Sequence, residues 1–300
     1  MQTSRSPLLG GLLATGLIAV VFFLLVFGLT MLLTGKPEFV EGGAKIALVT
    51  IDGVISSDVA ERTVRQLSKY GEDPAVKAIV LRIDSPGGGV APAQEIYHEV
   101  RRIRAKEKLI VASLGGLAAS GGYYVACAAD RIFASPGTIT GSIGVLIQLA
   151  NAEQLLRKIG VEPTVIKSGP LKDSGTPTRA LLPEEREVFQ SVVDDVYQQF
   201  VEAVAQGRKL QESEVRQYAD GRIYSGRQAK NLNLIDDLGT LQDAVAHAAA
   251  TVGIVGKPKL VQERKESLWW LRFLLEGLPR FPALQPFLAG DAFLQYRWPY

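Results

Sequence analysis

The stretch LIVASLGGLAASGGYYVACAAD, residues 109–130, joins a strand pattern to a helix pattern across a turn of small residues. LIVASLGG is almost continuously apolar, as strands covered on both faces are, and SGGYYVACAAD reads as an apolar helix. The same order occurs upstream, where the strand pattern VKAIVLRID is followed by the turn SPGGGV and the helical period of APAQEIYHEVRRIRAKEK. Strands that alternate with helices of this length predict βαβ units and an α/β fold.

The pattern continues on both sides of this stretch. Before it, KIALVTIDGVI is predicted as a strand and DVAERTVRQLSKYGED as an amphipathic helix; after it, RIFASP and SIGVLIQLA are predicted as strands. Past residue 150 we expect a helix at NAEQLLRKIG, a strand at EPTVIKSG, a loop at LKDSGTPTRALL and a long helix that begins at Pro183. The remainder up to about residue 252 reads as helices with one short strand, LIDDLG, between them.

Composition excludes several classes of protein. The 300 residues are 47% hydrophobic, carry a formal charge of +2 and show no basic stripe interleaved with aromatic residues, so no nucleic-acid partner is expected. The single cysteine, Cys127, allows neither an internal disulfide nor a multi-cysteine zinc site and is expected to be a buried small hydrophobe. Neither a phosphate loop nor a GxGxxG turn occurs, and we predict no cofactor and no metal.

The termini predict a membrane anchor and an aromatic extension. Residues 1–6 form a short tail, and residues 7–34 are long and apolar enough to cross a bilayer core of roughly 30 Å. A cleavable signal peptide is the alternative, although its apolar region would be shorter. A linker at 35–43 leads to the main domain, 44–252, and the flanking charges weakly favour placing this domain outside the cytoplasm. The extension, 253–300, carries aromatic residues that suit a membrane interface, a neighbouring subunit or the chain's own domain.

Two glycine turns, each directly after a strand, carry the candidate site. Backbone N–H groups at Gly87-Gly88 and at Ser120-Gly121 can point into one cleft, as an oxyanion hole requires, or the glycines can simply close tight turns. Ser120 precedes a helix, where a serine is either a nucleophile near the positive end of the helix dipole or an N-cap. Local sequence leaves both interpretations open.

A nucleophilic serine needs a base. The two histidines, His98 and His247, lie on helices and are expected to be surface or boundary residues. Lysine serves as a base once desolvation gives it a neutral amine. Lys167 and Lys172 stand out because their loop is rich in hydroxyls and small residues.

Four motifs in order resemble the bacterial signal peptide peptidase A family, membrane-anchored serine peptidases with the Clp protease/crotonase-like fold of repeated ββα and βαβ units. The resemblance covers roughly residues 44–245 and rests on RIDSPGGGV, SLGGLAASGGYYVACAADRIFASPGTITGSIGV, IKSGPLKDSGTPTR and YADGRIYSGRQAKNLNLIDDLG. Since each motif occurs once, the chain is similar to the short, single-domain form.

The resemblance implies a Ser–Lys dyad. Ser120 matches the family's nucleophile, Lys172 its general base and Ser142 the serine that orients the lysine amine. The oxyanion hole implied is the N–H of Gly121 with that of Gly87, or Gly88 if the glycine run is shifted by one.

The resemblance also implies where the enzyme works and on what. Short members assemble into rings or domes whose Ser and Lys come from adjacent protomers, so a homo-oligomer is expected. The substrates implied are apolar peptides, namely remnant signal peptides left in the bacterial cytoplasmic membrane, which a single-pass anchor would place beside an extracytoplasmic catalytic domain.

Three alternatives stay open. The same peptidase chemistry can act on other membrane or envelope proteins. A crotonase-type acyl-CoA enzyme would use carboxylates, but Asp84 and Asp130 read as a strand-end and a turn residue. A non-catalytic membrane scaffold of the same fold would be expected to lack Ser120 or Lys172, and both are present.

Overall fold

A computed structural model of the protein describes residues 21–25, residues 44–263 and the backbone of residues 295–297. The predicted tail and linker, and most of the predicted anchor and aromatic extension, lie outside these residues. Residues 21–25 are helical. Within the described ranges, no helix is both long and apolar enough to cross a membrane.

From residue 44 onward, strands and helices alternate. The first half contains β1 (Lys45–Asp52), α1 (Ser57–Glu72), β2 (Val76–Ser85), β3 (Gly87–Gly89), α2 (Val90–Arg104), β4 (Leu109–Ala119), α3 (Gly121–Ala126), β5 (Arg131–Ala134) and β6 (Ile139–Gly141). The second half contains α4 (Glu153–Lys158), α5 (Pro183–Arg208), α6 (Glu212–Tyr218), β7 (Ile223–Ser225), α7 (Gly226–Asn231), β8 (Asp237–Leu238), α8 (Leu241–Thr251), β9 (Lys259–Val261) and β10 (Gln295–Arg297).

The strands form one main sheet in the order β7-β6-β4-β2-β1-β9. All neighbours in this order are parallel except β6 and β7. β4 is long enough to pair with β5 along its first half and with β6 at its last residues, Leu117–Ala119. The carboxyl ends of β2, β4 and β6 therefore meet at one edge of the sheet.

Both faces of the central strands are covered, as their continuous apolar sequence predicts. Along β2, Ile79 and Leu81 belong to the core on one side and Ala78 and Val80 to the core on the other, with the period of two that a strand imposes. Helices α1, α2, α3 and α5 contribute to the first core and α8 to the second. The predicted α/β class is confirmed.

Three local predictions are wrong. SPGGGV is not only a turn, because its glycines form β3, which bridges to Ile55 on one side and pairs antiparallel with β10 on the other. SIGVLIQLA and EPTVIKSG, predicted as strands, are irregular. In EPTVIKSG both Val165 and Ile166 are exposed, Ile166 to 97%, whereas in SIGVLIQLA Ile143 is fully buried and Leu149 is exposed. An apolar run becomes a strand only where another strand offers a hydrogen-bonding ladder.

Candidate active site

Ser120 occupies the sharp turn between β4 and α3. Its φ of 54° and ψ of −120° lie in a region that residues with a side chain rarely adopt, at a cost of about 1–3 kcal/mol. Two backbone hydrogen bonds hold this conformation: the N–H of Ser120 donates to Gly141 O at 2.8 Å, and the N–H of Tyr124 donates to Ser120 O at 2.8 Å. Strain of this kind is typical of functional residues.

The Ser120 hydroxyl does not cap the helix that follows it. It forms no hydrogen bond with the first turn of α3, although this is the usual role of serine at such a position. The side chain instead contributes to the wall of a cavity, and the residue is only 1% exposed. Of the two interpretations that local sequence left open, the N-cap is wrong.

Ser142 lies beside Ser120 in the register of the sheet. Ala119 of β4 pairs with Gly141 of β6, so each serine is the first residue after a paired strand end. Ser142 also has a positive φ, 51°, and its N–H donates to Arg222 O at 2.8 Å. The register thus brings the two predicted serines together.

Both serines line one cavity of about 310 Å³. The other lining residues are Gly144, Val145, Leu146, Val193, Asp194, Tyr197, Ala219, Asp220 and Gly221. The pKa of Asp220 is lowered to about 2, chiefly by a hydrogen bond from the Arg222 side chain, so this carboxylate is ionised and paired. The lining of the cavity is therefore mixed: the two serines and the carboxylates of Asp194 and Asp220 lie beside apolar residues such as Val145, Leu146 and Val193.

Sequence reasoning missed the contribution of α5 to this cavity. Val193, Asp194 and Tyr197 look like ordinary residues of an amphipathic helix, and only the tertiary fold turns them toward the serines. For Asp220 and Gly221 the sequence does contain a signal of a functional role, because both belong to YADGRIY, part of a motif that carries the family resemblance.

The predicted oxyanion glycines surround the end of β4. Gly121 is the first residue of α3, and Gly122 lies so close to β2 that a Cβ there would be 3.1 Å from Ser85 O. Ser85 itself pairs with Ala118, two residues before Ser120. The helix start, with its unpaired N–H groups, is thereby packed against the turn that leads into β3.

Within β3, the amides of Gly87 and Gly88 face different partners. The N–H of Gly87 donates to Ser85 Oγ at 3.1 Å. The carbonyl of Gly87 and the N–H of Gly89 both bond to Ile55, so in an extended strand the N–H of Gly88 points the other way, toward β10. A Cβ on Gly88 would meet Ile55 O at 2.2 Å, which explains why only glycine fits.

The two candidate lysines have different surroundings. Lys167 Nζ donates to Pro170 O at 2.7 Å and to the carboxylate of Asp173, so it is committed to an ion pair. Lys172 is exposed, and among the described residues its amine has no hydrogen-bond or ion-pair partner. Lys172 does not line the cavity that contains Ser120 and Ser142. A single chain therefore brings the two serines together but not the predicted lysine.

Two known families match this chain. The Clp protease profile matches residues 44–139, which include β3, β4 and Ser120. The profile of peptidase family S49 matches residues 102–255, about half of the chain and all of the motifs around Ser120, Ser142 and Lys172. The chain belongs to peptidase family S49. It is a serine peptidase, a hydrolase, with a Clp protease-like α/β domain.

Similar proteins extend across several kinds of organism. A protein of Synechocystis sp. described as a candidate protease is 47% identical over 70% of this chain and 75% of its own length. A candidate signal peptide peptidase of Enterococcus faecium is 40% identical over 69% of this chain and 64% of its own length. Protease 4 of Salmonella typhi is 38% identical, and the match covers 70% of this chain but only 35% of that protein.

The other titratable side chains that the sequence singled out in this S49 peptidase lie away from the cavity. His98 is exposed and touches the Tyr97 ring edge-on, and His247 lies against the Phe133 ring. Asp84 accepts from the N–H of Leu117, while Asp130 pairs with Arg104.

Cys127 has the structural role predicted for it. The residue is 1% exposed, and burial raises the pKa of its thiol to about 12. The prediction of a buried small hydrophobe is confirmed.

An ion-pair network fixes the loop that carries Lys172 in the S49 peptidase. The network consists of Lys167, Asp173, Arg179 and Glu185. The pKa of Asp173 is lowered to about 2, first by its hydrogen bond from Lys167 and then by that from Arg179. The pKa of Glu185 is also lowered to about 2, first by Arg179 and then by the N–H of Leu182. Both carboxylates are therefore ionised at neutral pH.

This network predicts a pH-dependent stability. Because the pKa of Asp173 lies below its ordinary 3.8 in the folded protein, its contribution is present above about pH 4 and is lost as the pH falls toward 2. We expect Asp173→Asn to lower the melting temperature at pH 7 and the difference from the parent to shrink between pH 4 and pH 2. Thermal melts across this range measure it, and a constant difference would contradict the ion pairs described.

Proposed function

We propose that this S49 peptidase cleaves peptide bonds with a Ser–Lys dyad in which Ser120 is the nucleophile, Lys172 the general base and Ser142 the residue that orients the lysine amine. The observation that carries the proposal is the strained Ser120, held on the wall of a cavity beside Ser142. A hydroxyl suits the orienting role because it can hold a neutral amine without the negative charge that would keep the amine protonated.

The chemistry is acyl transfer. The lone pair of Lys172 Nζ takes the Ser120 proton while Ser120 Oγ bonds to the substrate carbonyl carbon. The carbon–nitrogen bond then breaks, and the lysine returns the proton to the leaving amine. Water, deprotonated by the same lysine, then attacks the resulting ester. The carbon–oxygen bond to Ser120 breaks, Ser120 Oγ takes the proton back from the lysine, and the carboxylic acid product leaves.

The developing oxyanion needs two donors aimed at one point. The N–H of Gly121 at the start of α3 is one. For the second, Gly88 is favoured over Gly87, because the Gly87 amide already donates to Ser85 Oγ whereas the Gly88 amide faces the side on which a peptide would lie.

The lysine would come from a neighbouring copy of the chain. Lys172 is exposed and does not line the cavity of its own chain. The segment before and around it presents exposed apolar side chains that a partner would cover: Leu155, Ile159, Val161, Val165, Ile166 and Leu171. A head-to-tail contact through this segment closes into a ring when the rotation permits. Each site would then combine the serine of one protomer with the lysine of the next.

Ile166→Asp tests this assembly. Ile166 is 97% exposed in the single chain, and burying such a side chain contributes about 1.5–3 kcal/mol, which a carboxylate would reverse. We expect the variant to dissociate and to lose activity in proportion, as measured by analytical ultracentrifugation in detergent and by peptide hydrolysis. Val255→Asp is the matched control, since Val255 is 98% exposed elsewhere. An Ile166→Asp variant that stays assembled and active would remove this segment from the interface.

The substrate class follows from the shape of the site and from the predicted anchor. β3 accepts an antiparallel strand, as its pairing with β10 illustrates, so an extended peptide could add to the same edge in place of β10. The apolar part of the cavity wall, which includes Val145, Leu146 and Val193, suits apolar side chains. An anchor at residues 7–34 would hold the site beside the bilayer into which apolar peptides partition. Remnant signal peptides in the bacterial cytoplasmic membrane, met by an extracytoplasmic domain, are the substrates we propose.

Two other functions are compatible with the same fold. One alternative keeps the peptidase chemistry and changes only the substrates, to other membrane or envelope proteins. The other is a scaffold that binds peptides without cleaving them. Hydrolysis by the full chain in detergent separates the three. Cleavage of a synthetic signal peptide in preference to a polar peptide of equal length supports the proposal. Equal cleavage of both favours a broader substrate range, and binding without cleavage supports the scaffold.

A further inference from the structure

Glu185 is a fully buried carboxylate in the first turn of α5. Its side chain is 0% exposed, whereas the neighbouring Glu184 is exposed. Burying an ionised carboxylate is costly unless hydrogen bonds and an opposite charge compensate for lost water. The hydrogen-bond and ion-pair partners of Glu185 therefore indicate its role.

Helix capping explains only part of these contacts. Glu185 Oε2 accepts from the N–H of Leu182 at 2.9 Å, and this bond satisfies one free donor at the helix start. The two terminal nitrogens of Arg179 also donate hydrogen bonds to this carboxylate: Nη2 donates to Oε1, and Nη1 donates to Oε2 at 3.0 Å. Arg179 lies outside the helix, at the end of the loop that carries Lys172.

Arg179 also binds the carboxylate of Asp173, the residue next to Lys172. Its Nη2 lies 3.1 Å from Asp173 Oδ1 and its Nε 3.3 Å from Asp173 Oδ2. Lys167, from the other end of the loop, pairs with the same carboxylate. Asp173 is thus clamped from both ends of the loop, one residue after Lys172.

The loop is also packed onto the helix it is tied to. Gly175 adopts a φ of +77°, and a Cβ at this position would be 3.1 Å from the Phe189 ring of α5. The backbone of Lys172 is therefore held at one point relative to α5, although its side chain is exposed. A base that must reach a serine in another chain needs a fixed point of origin, because small displacements of reacting groups cost large factors in rate.

We propose that Glu185 is a positioning residue for Lys172: buried in α5, it holds Arg179, which holds Asp173 and thereby fixes the loop that presents the lysine amine. The inference rests on the proposed function, in which Lys172 is the base. Glu185 itself does not contact the substrate in this proposal.

Glu185→Gln is the first test. Glutamine keeps an oxygen for the N–H of Leu182 but removes the charge that Arg179 needs. We expect kcat to fall about 10- to 100-fold with little change in KM, in assembled protein of the full chain. Glu184→Gln, with the same charge change in the same turn, is the matched control and should keep parental kcat. Equal kcat values for the two variants would overturn the proposal. If Glu185→Gln does not fold, Asp173→Asn breaks the same clamp outside the helix, with the same expected result.

Mixed oligomers separate positioning from a general structural role. Chains with Ser120→Ala and chains with Lys172→Ala, assembled together, form sites that take the lysine from the first chain and the serine from the second. Adding Glu185→Gln to the Ser120→Ala chain should lower the restored activity about 10- to 100-fold, whereas adding it to the Lys172→Ala chain should not. Equal losses from either chain would overturn the positioning role.

These experiments also distinguish the inference from the function on which it rests. Parental activity in Lys172→Ala would contradict Lys172 as the base, whatever Glu185 does. An inactive Lys172→Ala together with an unchanged kcat in Glu185→Gln would contradict the positioning role alone.

Discussion

Ser120→Ala is expected to lower kcat/KM for peptide hydrolysis by at least about 10⁴-fold, because no other group forms the covalent bond to the substrate carbonyl. The variant should keep the assembly and melting temperature of the parent, since its backbone is held by the hydrogen bonds to Gly141 and Tyr124 and its hydroxyl caps no helix. Stopped or continuous assays with an apolar peptide amide measure kcat/KM, and thermal melts measure the melting temperature.

Two further variants control this experiment. Ser120→Gly should be as inactive as the alanine variant and at least as stable, because glycine adopts the φ of 54° without strain. Ser113→Ala removes a buried serine of β4, the strand that precedes Ser120, one bonded to Arg82, and this variant should keep parental activity. Parental turnover in Ser120→Ala would exclude Ser120 as the nucleophile.

Lys172→Ala is the second change with a large expected effect. We expect a loss of at least about 10³-fold, since without a base the serine hydroxyl keeps its proton. Lys172→Arg should not restore activity, because a guanidinium does not give up its proton in proteins. Lys167→Ala should cost far less than Lys172→Ala, since Lys167 only ties the loop through Asp173. The reverse order of the two lysine variants would make Lys167 the base.

The sequence predicts elements well where one chain segment determines its own environment. The sequence predicts β2 at nearly its observed bounds and α5 at its observed first residue, because a doubly covered strand and an amphipathic helix carry their burial pattern locally. SIGVLIQLA and EPTVIKSG carry the same apolar signal but form no strand, and Leu149, Val165 and Ile166 within them are exposed, so the local pattern misled. The pairing of β3 with β10 joins distant parts of the chain, which no local pattern contains.

The features of the candidate site also divide into those that local sequence predicts and those that depend on the tertiary fold. A serine after a strand and two glycine turns could be predicted from local sequence, although the strain at Ser120, and whether it reacts or caps a helix, could not. The placement of Ser120 and Ser142 at one cavity depends on the register of β4 and β6, and the cavity wall depends on how α5 packs. Lys172 was assigned through the resemblance alone. Its isolation from the cavity in one chain is what makes the assembly central to the proposed mechanism.

The most direct test of the shared dyad is to mix Ser120→Ala and Lys172→Ala chains, each inactive alone, and measure peptide hydrolysis after co-assembly. If each site takes its serine from one protomer and its lysine from the next, random mixing in a ring restores up to about a quarter of parental activity. If the dyad lies within one chain, no mixed oligomer contains an intact site. Activity that stays at the level of the separate variants, in oligomers shown to contain both chains, would contradict the shared site.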